Sequence, residues 1–218
     1  NSILNRKFKI LTKDFKNVEK ILICSVVPET FNSIKKFISK KTKIKCYEIK
    51  DLNLKSILNI KANFKQVGSD RLANAISLMK PNKNFIILDF GTATTFDVLV
   101  SNTYKGGVIA PGVHRSVEAL VAAAAKLPSL AVENFDPDLP VLGTSTQSAM
   151  KSGVLWGYVG LIDGLLNRLK AEPGMAEAVV IGTGGLASLF APHIDAIDKV
   201  DNALTMTGLR IIFNRNKG

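Results

Sequence analysis

Residues 84–95, Asn-Phe-Ile-Ile-Leu-Asp-Phe-Gly-Thr-Ala-Thr-Thr, join an apolar run to an acid, a glycine and a cluster of threonines. Phe85, Ile86, Ile87 and Leu88 show no polar alternation, so a strand here has both faces covered and belongs inside a layered sheet. Asp89 ends that strand. Gly91 permits a tight turn and close backbone approach, while Thr92, Thr94 and Thr95 offer hydroxyl and amide donors suited to phosphate oxygens. An ordinary strand followed by a polar turn uses the same residue types, so the surrounding segments decide between the two.

Upstream, Val67-Gly68-Ser69-Asp70-Arg71 sets a carboxylate beside a guanidinium just before the helical pattern of Leu72, Ala75, Ile76 and Met79. Ser69 or Asp70 could equally be a helix N-cap there. Downstream come Gly106-Gly107-Val108-Ile109-Ala110-Pro111-Gly112, then Gly143-Thr144-Ser145-Thr146 opening a long helix, then Val179-Val180-Ile181-Gly182-Thr183-Gly184-Gly185. Glycine and threonine turns on strand ends or helix starts, with acids between them, point to a nucleotide-phosphate site.

Hydrophobic periodicity predicts strand 20–27, helix 29–41, strand 44–49, helix 70–80 and strands 84–90, 95–101 and 106–110. Helices 112–126 and 145–170, strand 178–182, helix 185–191, strand 196–199 and helix 202–215 follow. The mixture is α/β. Asp136-Pro137-Asp138-Leu139-Pro140 reads as a loop, because its prolines interrupt both helix and ladder. No apolar run reaches the roughly 18 residues that span a bilayer, so no membrane association is expected. Cys24 and Cys46 fall in predicted strands without metal-ligand spacing, as expected of reduced residues in a cytoplasmic protein. Residues 1–66 hold 16 Lys/Arg against 5 Asp/Glu, and the remaining residues hold 13 of each. A basic segment could attract nucleic acid, but here lysines alternate with Phe31, Ile34, Phe37 and Ile38 on an amphipathic pattern, which fits a solvated outer face.

Taken together, these segments resemble the type III pantothenate kinases of the acetate and sugar kinase, heat-shock-cognate ATPase and actin superfamily. The resemblance runs from about Ile21 to the C-terminus. It is carried by Ser25-Val26-Val27-Pro28, Gly68-Ser69-Asp70-Arg71, Asp89-Phe90-Gly91-Thr92-Ala93-Thr94-Thr95, Gly106 to Gly112, Ala124-Ala125-Lys126-Leu127-Pro128, Ser152-Gly153 and Thr183-Gly184-Gly185. Each fragment is short, but their joint order and spacing are specific.

The resemblance implies an α/β, actin-like (ribonuclease H-like) fold of duplicated lobes, with mixed sheets flanked by helices and a truncated N-terminal part. Residues 1–83 would be the remainder of the N-terminal lobe, and 84–218 the C-terminal lobe with the second phosphate turn and the dimerisation helices. The implied reaction is ATP-dependent phosphorylation of the primary hydroxyl of pantothenate, with Mg2+ and a monovalent cation, K+ or NH4+. By resemblance Asp70 is the proton acceptor, and Gly68, Ser69 and Arg71 line the pantothenate site. Thr146 would complete that site from the partner subunit of a homodimer. Asp89 would bind the monovalent cation, Thr92 would contact ATP beside Gly91, and Thr183, Gly184 and Gly185 would form the turn near the adenosine side.

Bland alternatives stand beside these roles. Asp70 and Arg71 could be a solvated pair at a helix start, although Arg71 as a neighbour is expected to keep Asp70 ionised. Asp89 could be a buried acid capping a turn. Thr144 rivals Thr146, and either could cap the long helix. That helix carries more apolar surface than one stripe needs, which suits a dimer interface or a buried core helix. His114 is set aside as a base, because nothing marks a nucleophile for it to activate.

The family's first phosphate loop, Asp-x-Gly-Asn-Ser/Thr, has no counterpart after the opening Asn1 to Lys7, so the chain reads as lacking the first few dozen residues of a complete kinase. As written it is expected to be nearly inactive. A family tyrosine near the pantothenate site falls on Lys61 and a proline on Phe64, which alters the rim of the substrate pocket. The alternative function is a non-catalytic member of the same fold with a regulatory or nucleic-acid-associated role.

Overall fold

The computed structural model describes residue 15 and residues 18–124, 127–136 and 138–216. Asn1 to Lys7, Ala125, Lys126 and Pro137, named above, lie outside the described residues. A first unit runs from strand β1 (Lys20–Ile23) through helix α1 (Pro28–Lys41) to strand β2 (Lys45–Glu48), and its two strands pair in parallel. Helix α1 begins on Pro28, whose missing N–H is no loss in a first turn, and carries Glu29 at its start and Lys40 and Lys41 at its end.

The second unit is a six-stranded mixed sheet. Its strands are β3 (Asn59–Ile60), β4 (Asn84–Phe90), β5 (Ala93–Val100), β6 (Thr103–Pro111), β7 (Val179–Gly184) and β8 (Lys199–Val200), in the order β3-β6-β5-β4-β7-β8. Strands β4, β5 and β6 form an antiparallel meander, while β7 adds to β4 in parallel. Helices cover both faces, as the unbroken apolar run of β4 requires. Ile86, Leu88 and Phe90 pack with Val117 of α3 (Val113–Ala123) and with Val154, Leu155 and Ile162 of α4 (Thr146–Lys170). Phe85 and Ile87 face the opposite layer, made of Leu72 and Ile76 of α2 (Ser69–Ser77) and Leu204 and Ile212 of α6 (Leu204–Arg215). A short helix α5 (Ala187–Phe190) and a 3-10 turn at 191–193 follow β7. Among the described residues no helix is long and apolar enough to cross a membrane.

The predicted elements are present, with informative departures. Gly106 and Gly107 lie inside β6, within the predicted strand 106–110, although that strand begins earlier, at Thr103. A Cβ on Gly107 would sit 1.8 Å from the Phe96 carbonyl oxygen and 2.9 Å from an Arg71 nitrogen, so glycine lets this strand pass a guanidinium. The register of β5 against β6 shifts between Val98 and Leu99 beside Gly106, whose φ is +126°. Strand β3 spans two residues, too few for a periodic signal. Cys24 follows β1 instead of lying within it. Both cysteines are free and half-buried, and burial, reinforced by Asp70, pushes the Cys24 thiol up to about 12.

Helix α6 meets α2 at very close range. A Cβ on Gly208 would come 1.9 Å from the Ala73 carbonyl oxygen, inside any real contact distance. Gly208→Ala should therefore push the helices apart and destabilise the fold by about 1–3 kcal/mol, as overpacking does. Urea unfolding would register this as a lower midpoint with an unchanged slope; a wild-type midpoint would contradict the close approach.

Candidate active site

Parallel strands β4 and β7 end side by side, with Asp89 opposite Thr183 and Phe90 opposite Gly184. Ligands in open α/β sheets gather at such carboxyl ends. Helix α2 lies over this corner and presents Asp70 and Asn74 one turn apart, hence on one side of the helix.

Asn74 donates from Nδ2 to Asp89 Oδ2 at 3.0 Å, and its own Oδ1 accepts from Thr205 Oγ1 of α6 at 2.7 Å. The ionised Asp89 carboxylate only accepts, so it takes the Nδ2 end of the amide and leaves Oδ1 for the Thr205 hydroxyl. The other carboxylate oxygen, Asp89 Oδ1, and the Phe90 carbonyl oxygen each lie 2.6 Å from where a Cβ on Gly184 would stand. Gly184 has φ +92°, so this oxygen-lined notch exists because the turn carries glycine. Burial raises the Asp89 carboxyl, with Asn74 opposing the shift and Asp70 and Asp97 adding to it. Carboxylate and carbonyl oxygens around a concentration of negative charge suit a hard cation of low charge. Among the described residues no three His, Cys, Asp or Glu side chains are grouped so as to hold a metal by themselves.

Arg71 does not pair with Asp70. Its Nε donates to Asp97 Oδ1 at 2.8 Å and its Nη2 lies 2.7 Å from the same oxygen in an ion pair, while Tyr104 donates its hydroxyl to that oxygen at 2.5 Å. Asp97 is fully buried. Burial raises the Asp97 carboxyl, while the Arg71 hydrogen bond and charge oppose that shift. Burial alone would lower Arg71, but its bond to Asp97 outweighs this and the guanidinium is held ionised above its ordinary value. Burial and the Asp97 charge drive the Tyr104 hydroxyl well upward, so it stays a donor.

Asp70 Oδ1 accepts the Arg71 backbone N–H at 2.8 Å, and the carboxylate lies so close to Gly68 that a Cβ there would meet it at 2.5 Å. The N-cap of α2 is Gly68, not Ser69 or Asp70. Ser69 instead donates its hydroxyl to the Ser25 carbonyl at 3.1 Å, tying the start of α2 to the loop after β1. Gly68 and Ser69 border a cavity of about 440 Å³ with Ser25, Phe31, Glu48 and Gln66.

Gly91, Thr92 and Gly185 border a second cavity of about 430 Å³, together with His114 and Arg115. His114 pairs there with Glu133 at 3.4 Å. Thr146 lies apart from all of these. It is the first residue of α4, whose N-cap is Ser145 in a reciprocal box with Ser148, so neither Thr144 nor Thr146 caps the helix. Thr146 instead opens on an apolar groove of about 780 Å³ between α3 and α4, lined by Leu120, Val154 and Leu161.

Four polar residues of this corner escaped the sequence reading: Asn74, Asp97, Tyr104 and Thr205. Asp97 alone carried a local signal, an acid at an inward position of an alternating strand.

A family model described as type III pantothenate kinase matches residues 2–168. A type III pantothenate kinase of Pelagibacter ubique is 48% identical over 209 residues, covering 96% of this chain and 83% of the relative. Those of Rhizorhabdus wittichii and Caulobacter vibrioides are 41% and 40% identical, covering 92% and 93% of this chain and 77% of each relative. Among solved structures, a conserved Baf family transcriptional activator from Campylobacter jejuni superposes with a TM-score of 0.64 at 19% identity, over 96% of this chain and 88% of that one. MreB5 of Spiroplasma citri bound to ADP superposes with a TM-score of 0.52 at 13% identity, over 100% and 76%. At those identities the likeness is one of fold, and the fold is the mixed α/β, actin-like one expected from the sequence. By its sequence relatives, the chain belongs to the type III pantothenate kinase family.

Proposed function

We propose that the corner formed by α2, β4 and β7 is where this family's reaction takes place in this chain: transfer of the γ-phosphoryl group of ATP to the primary hydroxyl of pantothenate, the first step of coenzyme A biosynthesis. The observation that carries this reading is that α2, which bears Asp70, also bears Asn74 one turn on, and Asn74 donates to Asp89 beside the Gly184 turn at the carboxyl ends of two parallel strands. Phosphoryl transfer asks a protein chiefly to align a hydroxyl with the γ-phosphate and to stabilise charge on its oxygens.

In this reading Asp70 accepts the hydroxyl proton, since among the described residues its carboxylate is hydrogen-bonded only by the Arg71 backbone N–H and keeps lone pairs free. Gly68, Ser69 and Arg71 bind pantothenate, and Gly91, Thr92, Thr183, Gly184 and Gly185 face ATP. Asp89 Oδ1 and the Phe90 carbonyl would hold a monovalent cation, K+ or NH4+, and the nucleotide phosphates would hold Mg2+. Such cations neutralise charge on the transferring group. In the same reading β1, α1 and β2 belong to the N-terminal lobe, and the C-terminal lobe of a cytoplasmic enzyme, expected over 84–218, also takes in β3 and α2, which pair with and cover its sheet. Nucleic acid is not among its partners.

The apolar groove beside Thr146 supports a homodimer in which Thr146 completes the partner's pantothenate site. Exposed Leu120 and half-buried Leu161 line it. A permanent interface of this kind typically buries about 2,000 Å² or more. Tyr158 is a poor probe, because its hydroxyl is within hydrogen-bond distance of Ser116 and donates to the Pro111 carbonyl in the core. Leu161→Glu should yield folded monomers with little activity; sedimentation of a fully active monomer would overturn the shared site.

Asp70→Asn should lower turnover by roughly 10²-fold or more while ATP binding stays near wild type, because a general base touches the acceptor and not the nucleotide. Steady-state kinetics with direct nucleotide titration decide it, and unchanged turnover would return Asp70 to a structural role.

Asp89 makes a prediction of opposite sign for stability. Its carboxyl is raised by burial, so the ionised form disfavours the native state at neutral pH, and this penalty fades as pH falls through the raised value. In potassium-free buffer Asp89→Asn should therefore raise the Tm at pH 7, with the gain shrinking toward pH 4, while abolishing any stabilisation by added K+. A lower Tm at pH 7 would mean that the ionised carboxylate is needed for folding.

A further inference from the structure

Asp97 and Tyr104 have no role in the reaction as set out above, yet they build the most completely buried ionic contact of this corner. We infer that Asp97, braced by Tyr104, is a positioning residue that fixes the Arg71 guanidinium for pantothenate binding. This rests on the reading of Arg71 as a substrate-site residue.

The geometry is that of a lock. The Arg71 edge formed by Nε and Nη2 faces one oxygen, Asp97 Oδ1, with Nε donating to it and Nη2 2.7 Å away, and this sets the direction of the guanidinium. Tyr104, fully buried on β6, holds that same oxygen, so the carboxylate cannot turn away without losing a partner. The adjoining strand is shaped around the pair, since any side chain at Gly107 would bring its Cβ to 2.9 Å from Arg71 Nη2.

Stability alone gives little reason for the arrangement. Desolvating two charges offsets most of their attraction, and buried ion pairs are often replaceable by apolar residues of like volume. What the pair does supply is direction. The Arg71 side chain is 12% exposed, and no described residue accepts a hydrogen bond from Nη1. A guanidinium fixed on one edge, with Nη1 unbonded among the described residues, is suited to an oxygen-rich acceptor, such as the carboxylate, amide or hydroxyl oxygens of pantothenate. Because Arg71 follows Asp70 and donates its backbone N–H to that carboxylate, the lock also sets the first turn of α2.

The test is steady-state kinetics of the full-length enzyme for both substrates, on Arg71→Ala, Asp97→Asn, Tyr104→Phe and the double variant Arg71→Ala/Asp97→Asn. Arg71→Ala and Asp97→Asn should each raise the pantothenate KM about tenfold or more and leave the ATP KM within about twofold, the signature of lost substrate binding. Tyr104→Phe should move the pantothenate KM in the same direction by a smaller factor. The double variant should be no worse than Arg71→Ala, because Asp97 acts only through the arginine.

If Arg71→Ala raises the pantothenate KM while Asp97→Asn and Tyr104→Phe leave it unchanged, the lock is irrelevant and the inference is wrong. Losses that add in the double variant would equally overturn it. An unchanged KM in Arg71→Ala would remove Arg71 from the substrate site, and the inference with it. Should Asp97→Asn fail to fold by circular dichroism, Tyr104→Phe decides alone, since it keeps the ring and the ion pair.

Discussion

Helix α2 is held to the β4–β5 hairpin by two polar contacts, Arg71 on Asp97 and Asn74 on Asp89, and the geometry of the corner follows from them. Each joins a helix side chain to an acid on a strand, so the two acids sit on the α2 face of the sheet while apolar residues alternate to the other. Apolar packing by Leu72 and Ile76 brings the helix down on the sheet. It does not set rotation or register, because apolar contact is non-directional. Hydrogen bonds do.

The same contacts explain how several acids are tolerated together. Asp97 is neutralised by Arg71 and further hydrogen-bonded by Tyr104. Asp89 receives a neutral amide and, among the described residues, no side-chain cation, and burial raises its carboxyl. One acid is thus satisfied by the protein and another is left wanting a counter-charge. That asymmetry gives the corner its chemical direction, and Thr205 of α6 takes up the other end of the Asn74 amide.

Much of the fold was legible because its signals are local. Phe85 to Leu88 announce a buried strand, and the glycine and threonines after Asp89 announce the turn. Gly106 and Gly107 fall in the strand predicted at 106–110, but why glycine is needed there became visible only from the position of Arg71. Asp70, Asp89 and the Gly184 turn were readable as motif residues. Their partners were not: Arg71 reaches Asp97 26 residues away, and Thr205 reaches Asn74 across 131. An asparagine on an apolar helix face or a tyrosine in a strand carries no sign of its partner until the chain is folded. The Asp70–Arg71 pairing expected from adjacency failed for the same reason, because successive helix residues diverge by about 100° while a strand acid lay within reach.

The central claim is that Asp70 and the Asp89–Gly184 notch belong to a single phosphoryl-transfer site. A crystal structure with pantothenate and a non-hydrolysable ATP analogue tests it most directly. The account predicts the primary hydroxyl of pantothenate at hydrogen-bond distance, about 2.6–3.2 Å, from the Asp70 carboxylate. The γ-phosphate should lie between that hydroxyl and the β4–β7 turns, with Arg71 still on Asp97. Pantothenate bound away from Asp70, or a nucleotide whose phosphates avoid the Gly91 and Gly184 turns, would contradict it.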